Sequence, residues 1–224
     1  MQINASDLDF TKNSTNFLCI FFLFFSIRRK EIIMISNEKL FNIINRLALK
    51  EIELYGGPLI IHYNISLDAC EKLAEYYKVD ANICKAGIAL ADIKVGYCMK
   101  NNNWAQHVQL GYEYAKEILD GLDIDQKTRD LLLNCVLAHH REVPFESIES
   151  EIVANADCYR FLVPAGTITH MQFATKKGLN HNDTIDFVLA KIYEKIKIIT
   201  LDVVREELTP YYNQITKLLL DAKV

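Results

Sequence analysis

The stretch AGIALADIKVG, residues 86–96, places one carboxylate within a run of small and apolar residues. A run that is apolar on every side is typical of a helix in the core of a protein. Burying the carboxylate of Asp92 in such a helix is costly unless a charged group meets it. The stretch therefore predicts a helical core and raises the question of what Asp92 contacts.

The composition of the chain favours an all-helical protein. Half of the 224 residues are hydrophobic, while only 8 are glycine and 4 are proline, which indicates a large core and few tight turns. No segment alternates polar and apolar residues with a period of two over a useful length. We therefore predict an all-α fold, a multi-helix bundle with short loops.

Apolar periodicity, N-cap residues and breaks at glycine and proline predict the individual helices. We expect eight helices, followed by two short helices that meet near Pro210. The eight lie at 36–54, 66–77, 80–99, 103–119, 125–140, 148–162, 164–177 and 182–199. Residues 34–224 are expected to form one domain whose motif-bearing core spans about 59–162. The helices at 163–224 are expected either to pack against this core or to form the face of a homodimer.

The first 33 residues have a different character. The apolar run FLCIFFLFFSI, residues 17–27, is followed at once by three basic residues. It is shorter than the about 20 residues that span a bilayer, so we expect no stable membrane span. It also lacks the charge pattern and cleavage site of a signal peptide. Three interpretations stay open: translation starts at Met34, the segment touches a membrane surface, or it is an ordered structural segment.

Charge and cysteine content limit the class of protein. The formal net charge is −4 and no basic stripe is present, which argues against duplex nucleic acid as a partner. The six cysteines form no C-x-x-C pair, and most lie in apolar helical patterns. We interpret them as reduced, buried thiols of a cytoplasmic protein.

Six potential metal ligands stand where a helical core would otherwise have apolar residues. They are His62, Asp92, His107, His139, His140 and Asp157. Each alone has an ordinary explanation, since a core histidine often bonds to a neighbour and a buried aspartate often caps a helix or forms an ion pair. If the helices bring these side chains together, the mixed set suits a divalent metal such as Mn²⁺, Fe²⁺ or Zn²⁺.

The order of these residues resembles the HD-domain superfamily of metal-dependent phosphohydrolases. The similar segments are IIHYNISLDACEKLAEYY, NWAQHVQLGYEYAKEIL, LLLNCVLAHH and IVANADCYRFL, which lie between residues 59 and 162. The resemblance implies an all-helical core whose ligands come from an early His, a His-Asp doublet, sometimes two further His, and a late Asp. It also implies a bound divalent metal ion, without distinguishing Mn, Fe, Zn, Ni and Mg.

The sequence departs from this family at the doublet, where Ala91 stands in place of the histidine. The mononuclear arrangement that the resemblance implies would then retain three ligands: His62, Asp92 and Asp157. In the binuclear arrangement Asp92 would bridge two metal ions. The second ion would be held by His107 together with His139 or His140.

The resemblance implies hydrolysis of a phosphate monoester or diester, with a nucleotide as one candidate, by metal-activated water. The candidate catalytic residues are Asp92, as the central ligand, His107, as a ligand or a group that orients the substrate, and Lys94. Lys94 would stabilise negative charge on the phosphoryl group. Arg141 and Arg160 are further candidates for holding phosphate. Ala91 favours the alternative, a catalytically inactive HD-like domain that senses a ligand or binds a protein partner.

Overall fold

A computed structural model describes residues 34–224, so the apolar segment 1–33 and the three interpretations of it lie outside the described residues. The described residues contain helices and no strand, which confirms the predicted all-α fold. The helices are α1 Asn37–Tyr55, α2 Ile60–Tyr77, α3 Ala81–Ala91, α4 Val95–Lys100, a 3-10 turn Trp104–Gln106, α5 His107–Asp120, α6 Gln126–Ala138, α7 Ile148–Leu162, α8 Pro164–Lys176, α9 His181–Ile196 and α10 Asp202–Asp221.

Helices α3 and α7 form the centre of the unit Ile35–Val224. Both are buried along most of their length. The nearly continuous apolar sequence of α3 predicts this, whereas α7 also buries polar residues such as Asn155 and Asp157. Helix α3 packs against α1, α2, α6 and α7, while α7 also contacts α8, α9 and α10. Gly87 permits this close packing, because a Cβ atom there would lie 2.9 Å from Cys135 Sγ and 2.9 Å from Val153 Cγ2.

Side-chain caps explain why several helices begin where the sequence predicts. The Ser36 hydroxyl accepts a hydrogen bond from the Lys39 backbone N–H at the start of α1. The carboxylates of Asp80 and Asp125 accept equivalent bonds at the starts of α3 and α6. Such caps satisfy backbone donors that the first helical turn leaves free, and they are visible in the sequence as local patterns.

Two predicted helices differ from those in the structure near the candidate site. Helix α2 begins at Ile60 rather than Ser66, and its first position is preceded by Leu59, which provides no side-chain cap. The predicted helix 80–99 is interrupted: α3 ends at Ala91, and a turn at 92–94 precedes α4. Asp92 is therefore the C-cap residue of α3 rather than a residue in the middle of a helix.

The prediction of two short helices meeting near Pro210 is wrong, since α10 continues through this proline. Proline removes one backbone N–H donor, so one carbonyl in the preceding turn loses its partner. Pro210 is exposed, and water can solvate that carbonyl. Burial of Val204, Leu208 and Leu219 along the same helix stabilises it on both sides of the proline.

The five described cysteines, at positions 70, 84, 98, 135 and 158, are buried and unpaired, as predicted. Among residues 34–224, no helix is both long enough and apolar enough to cross a membrane.

Candidate metal centre

Four of the six predicted ligands meet where three helices end or begin. Asp92 caps the C-terminus of α3, His107 is the first residue of α5, and His139 and His140 directly follow α6. One potential ligand atom from each of these residues lies within 4.8 Å of the others. The break at 92–94 matters here because it places the Asp92 side chain beside the ends of α5 and α6.

Backbone hydrogen bonds orient two of the imidazoles towards Asp92. Nδ1 of His139 donates to the Val136 carbonyl at 2.7 Å, and Nδ1 of His107 donates to the Trp104 carbonyl at 2.8 Å. These partners assign the proton to Nδ1 in each ring, so each Nε2 atom carries a lone pair. The two Nε2 atoms lie 3.6 Å and 3.8 Å, respectively, from Asp92 Oδ1.

His139 Nε2 is buried and has no hydrogen-bond partner within the described part of the chain. A buried acceptor without a partner costs free energy that a bound cation would recover. Three lone pairs, from Asp92 Oδ1, His107 Nε2 and His139 Nε2, therefore converge on one place. Such a mixed nitrogen and oxygen set fits a divalent transition metal.

The carboxylate of Asp92 is held ionised by its surroundings. Its Oδ2 atom accepts a hydrogen bond from Arg160 Nη2, while Oδ1 faces the two imidazoles. Burial alone would raise the pKa of this carboxyl, but the Arg160 guanidinium holds that pKa well below its usual range. Asp92 is thus a carboxylate, as a metal ligand must be.

His140 has a different proton arrangement because of Lys195. The ammonium of Lys195 donates to His140 Nδ1 at 3.1 Å, so the imidazole proton is assigned to Nε2. That Nε2 donates to His107 Nε2 at 3.2 Å. Burial, followed by the nearby His139 and Lys195, lowers the pKa of His140 to about 2. His140 is therefore a neutral donor to the lone pair of His107 Nε2, and an ion bound there would take its place.

The structure does not bring Asp157 into this group of four. Its Oδ2 atom accepts a hydrogen bond from Lys195 Nζ at 2.6 Å, and its Oδ1 atom lies 2.5 Å from Arg160 Nη2 in an ion pair. Burial would raise the pKa of this carboxyl, but the charges of Arg160 and Lys195 outweigh burial and lower it. Both oxygens of Asp157 thus already face cations.

His62 also lies apart from the group of four. Its Nε2 donates to the Gly166 carbonyl at 2.8 Å, and its ring contacts the Phe161 ring edge to face, with centroids 5.0 Å apart. Burial, followed by the charge of Arg160, lowers the pKa of His62 to about 4. His62 is a neutral imidazole that uses Nε2 in a hydrogen bond between α2 and α8.

Two predicted phosphate-binding residues are engaged elsewhere. Lys94 Nζ lies 3.0 Å from Glu51 Oε1 on α1 and 3.6 Å from the centroid of the Tyr114 ring. Arg141 donates to the Lys197 carbonyl at 2.9 Å. Neither side chain borders the cavity described next.

A cavity of about 550 Å³ borders the cluster through Asp92 and Arg160. Its walls combine aromatic rings and lysines: Trp104, Phe161, Phe173, Phe187, Lys177 and Lys191. Trp104 also stacks on His107, with ring centroids 5.0 Å apart, and so connects the cavity wall to the cluster. A space of this size and lining is typical of a binding site for a small organic ligand.

Lys195, which is fully buried, is not among the site residues that the sequence predicts. Its pKa, which burial would lower, is raised by the carboxylate of Asp157. A signal was present, since Ile185, Val188 and Ile192 form the apolar face of α9 and Lys195 continues it at helical spacing. A lysine on such a face needs a buried carboxylate as its partner. Which carboxylate this is depends on how α9 packs.

The two ligand arrangements implied by the sequence fit a metal unequally. The set His62, Asp92 and Asp157 does not fit. A hydrogen bond to Gly166 occupies the imidazole, cations already face both oxygens of Asp157, and Arg160 bonds to Asp92 Oδ2, which leaves Asp92 Oδ1 to the two imidazoles. The set around Asp92, His107 and His139 fits, because its lone pairs converge and one of them is buried without a partner.

Comparison with known proteins supports the fold. Two similar solved structures are a predicted HD superfamily hydrolase from an uncultured Thermotogales bacterium and Bacillus subtilis YpgQ. The first has a TM-score of 0.57 and 15% identity over 80% of this chain and 89% of that chain. The second has a TM-score of 0.59 and 17% identity over 83% and 96%, respectively. No protein-family model and no curated protein matches the chain in sequence. The chain therefore has an HD-domain-like fold.

Proposed function

We propose that this chain is a divalent-metal-dependent hydrolase of small phosphate esters. The observation that carries the proposal is the convergence of Asp92 Oδ1, His107 Nε2 and His139 Nε2 beside a cavity of about 550 Å³. A catalytic metal commonly has three protein ligands and keeps further positions for water and substrate. The HD superfamily hydrolase with a similar fold is consistent with this proposal.

The side chains of this centre would have different roles in such a reaction. Asp92, His107 and His139 would hold the ion. When bound, a divalent cation supplies a water of lowered pKa and polarises a phosphoryl oxygen. His140 Nε2, whose proton is fixed by the Lys195 contact at Nδ1, would donate a hydrogen bond to an oxygen of the substrate. Arg160, predicted as a further phosphate-binding residue, borders the cavity, but its guanidinium pairs with Asp92 and Asp157, so we assign it to holding these carboxylates.

The cavity walls support a substrate that joins a phosphate to a flat, apolar group. Lys177 provides positive charge, and Lys191 adds a cation that pairs with Glu194 of the same wall at 2.7 Å. Trp104, Phe173 and Phe187 provide ring surfaces. Cations attract phosphate, and aromatic rings stack on flat organic groups. A nucleotide combines both features and is the first substrate class to test.

A second candidate function is favoured by the charge balance next to the centre. Arg160 and Lys195 neutralise Asp92 and Asp157 without any metal ion. This balance, together with Ala91, suits an HD-like domain that binds an anionic ligand in the cavity without hydrolysing it.

Metal content and phosphate release decide between the two functions. The purified full-length chain would be stripped with a chelator, reloaded in turn with Mn²⁺, Fe²⁺, Ni²⁺, Zn²⁺ or Mg²⁺, and assayed for bound metal. Phosphate or pyrophosphate release would then be measured on nucleoside mono-, di- and triphosphates and on a simple aryl phosphate. We expect binding of at least one metal and hydrolysis by that form.

Variants connect the activity to the centre. His139→Ala and Asp92→Asn should remove both metal binding and hydrolysis, because each takes away a convergent ligand. His181→Ala is the matched control, since His181 is exposed and its ring, within residues 34–224, bonds only to the Ala222 carbonyl. Nucleotide binding without metal uptake or turnover would support the ligand-binding alternative and contradict the hydrolase.

A further inference from the structure

One guanidinium group lies between the two carboxylates that the HD resemblance assigns to a single metal ion. Arg160 Nη2 bonds to Asp92 Oδ2 and lies 2.5 Å from Asp157 Oδ1. Both carboxylates come from central helices, Asp92 from the end of α3 and Asp157 from α7. A cation thus already occupies the space between these two oxygens.

The charges in this group balance without a metal. Asp92, Asp157, Arg160 and Lys195 are 6%, 1%, 7% and 0% exposed, so all four are shielded from solvent. Lys195 Nζ lies 2.6 Å from the second oxygen of Asp157, and the group sums to two negative and two positive charges. A divalent cation between Asp92 Oδ2 and Asp157 would lie directly against Arg160 and Lys195, and this crowding of buried positive charge is strongly unfavourable. Asp92 Oδ1 lies apart from these cations and faces the two imidazoles.

The remaining ligands for an ion at this position are missing as well. Ala91 has no donor atom and is buried in the apolar core. His62 Nε2 is committed to the Gly166 carbonyl at 2.8 Å. Ala91 removes one ligand, and the contacts of Arg160 occupy the carboxylates. Both features therefore disfavour a metal ion between Asp92 and Asp157.

Packing holds Arg160 in this position. Its guanidinium carbon lies 4.9 Å from the centroid of the Phe161 ring. Its backbone carbonyl is in close contact with Gly166, where a Cβ atom would lie only 2.0 Å from that oxygen. Its own pKa, which burial would lower, is raised by the two carboxylates. Arg160 is thus a permanently charged and well-packed residue that also borders the cavity.

We infer that Arg160 replaces one metal ion of the HD arrangement. The guanidinium is a resident cation between Asp92 and Asp157, so the chain binds one divalent ion, at Asp92, His107 and His139, and none beside Asp157. The single-ion part of this inference rests on the proposed function, whereas the exclusion of metal beside Asp157 does not.

The test counts metal ions per chain, by titration with Co²⁺ or Mn²⁺ and by elemental analysis of the dialysed full-length protein. The wild type and Ala91→His should each bind one ion, since restoring the histidine does not remove the guanidinium. The double variant Ala91→His/Arg160→Gln should bind one more ion than the wild type. The matched control Ala91→His/Arg160→Lys keeps a cation at position 160 and should show no such gain.

Two ions in the wild type, or a second ion in Ala91→His alone, would overturn the inference. So would a folded Ala91→His/Arg160→Gln variant with no additional ion, with folding checked by circular dichroism. The wild-type and Ala91→His counts decide the question if the double variant does not fold. A wild type without metal would contradict the proposed hydrolase, while an ion gained only in the double variant would still support the replacement by Arg160.

Discussion

Replacing His170 with phenylalanine should make the protein less sensitive to acid. His170 is 7% exposed, and its ring contacts those of Phe161, Phe173 and Phe187 at centroid distances of 5.2, 6.2 and 4.8 Å. Its Nε2 atom is buried and has no hydrogen-bond partner in the described residues. Burial, followed by the neighbouring His62 and Lys191, lowers the pKa of His170 to about 3.

The sign of the effect follows from where the proton binds. Between about pH 6.5 and pH 3 the unfolded chain protonates His170 and the folded protein does not, so the free energy of unfolding falls as the pH falls. A pH of about 5 lies about 1.5 pH units below the pKa of His170 in the unfolded chain. Protonation of this residue then lowers the free energy of unfolding by about 2 kcal/mol. His62 and His140, whose pKa values are also lowered, should contribute losses of similar size.

The assay is urea unfolding followed by circular dichroism at about pH 8 and pH 5, with a chelator present so that metal binding does not contribute. The wild type should lose about 2 kcal/mol more than His170→Phe between the two pH values. The control is His181→Phe, which makes the same replacement at an exposed histidine. Equal losses in the wild type and in His170→Phe would refute the assignment of a neutral, buried His170.

Three further changes test the packing and the centre. Gly166→Ala should destabilise the fold by about 3 kcal/mol or more in urea unfolding, because a Cβ there would lie 2.0 Å from a backbone oxygen of α7. Lys195→Met should lower the free energy of unfolding by about 3–5 kcal/mol, because it leaves Asp157 with one cation fewer. Adding Asp157→Asn should recover part of that loss. If the losses of the two single variants simply add in the double variant, the coupling between Lys195 and Asp157 is contradicted. His139→Ala should weaken Mn²⁺ binding at least about 100-fold in calorimetric titration, since a direct ligand matters more than an outer partner, whereas His181→Ala should not.

Local patterns predicted much of the helical architecture. Caps such as Ser36 and Asp125 act within one turn, so the sequence alone locates those helix starts. The break after Ala91 and the continuity through Pro210 were predicted wrongly, because both depend on contacts with other helices rather than on local propensity.

The sequence by itself determined the class of fold and the set of side chains that a metal could use, since apolar periodicity and misplaced polar residues are both readable along the chain. Only the tertiary structure decided how that set divides. It groups Asp92, His107, His139 and His140, and it gives Asp157 to Arg160 and Lys195. The physical reason is that a buried charge is compensated by whichever partner the packing brings within a few ångströms, and that partner can come from a distant helix. Asp92 thus meets a guanidinium on one oxygen and two imidazoles on the other.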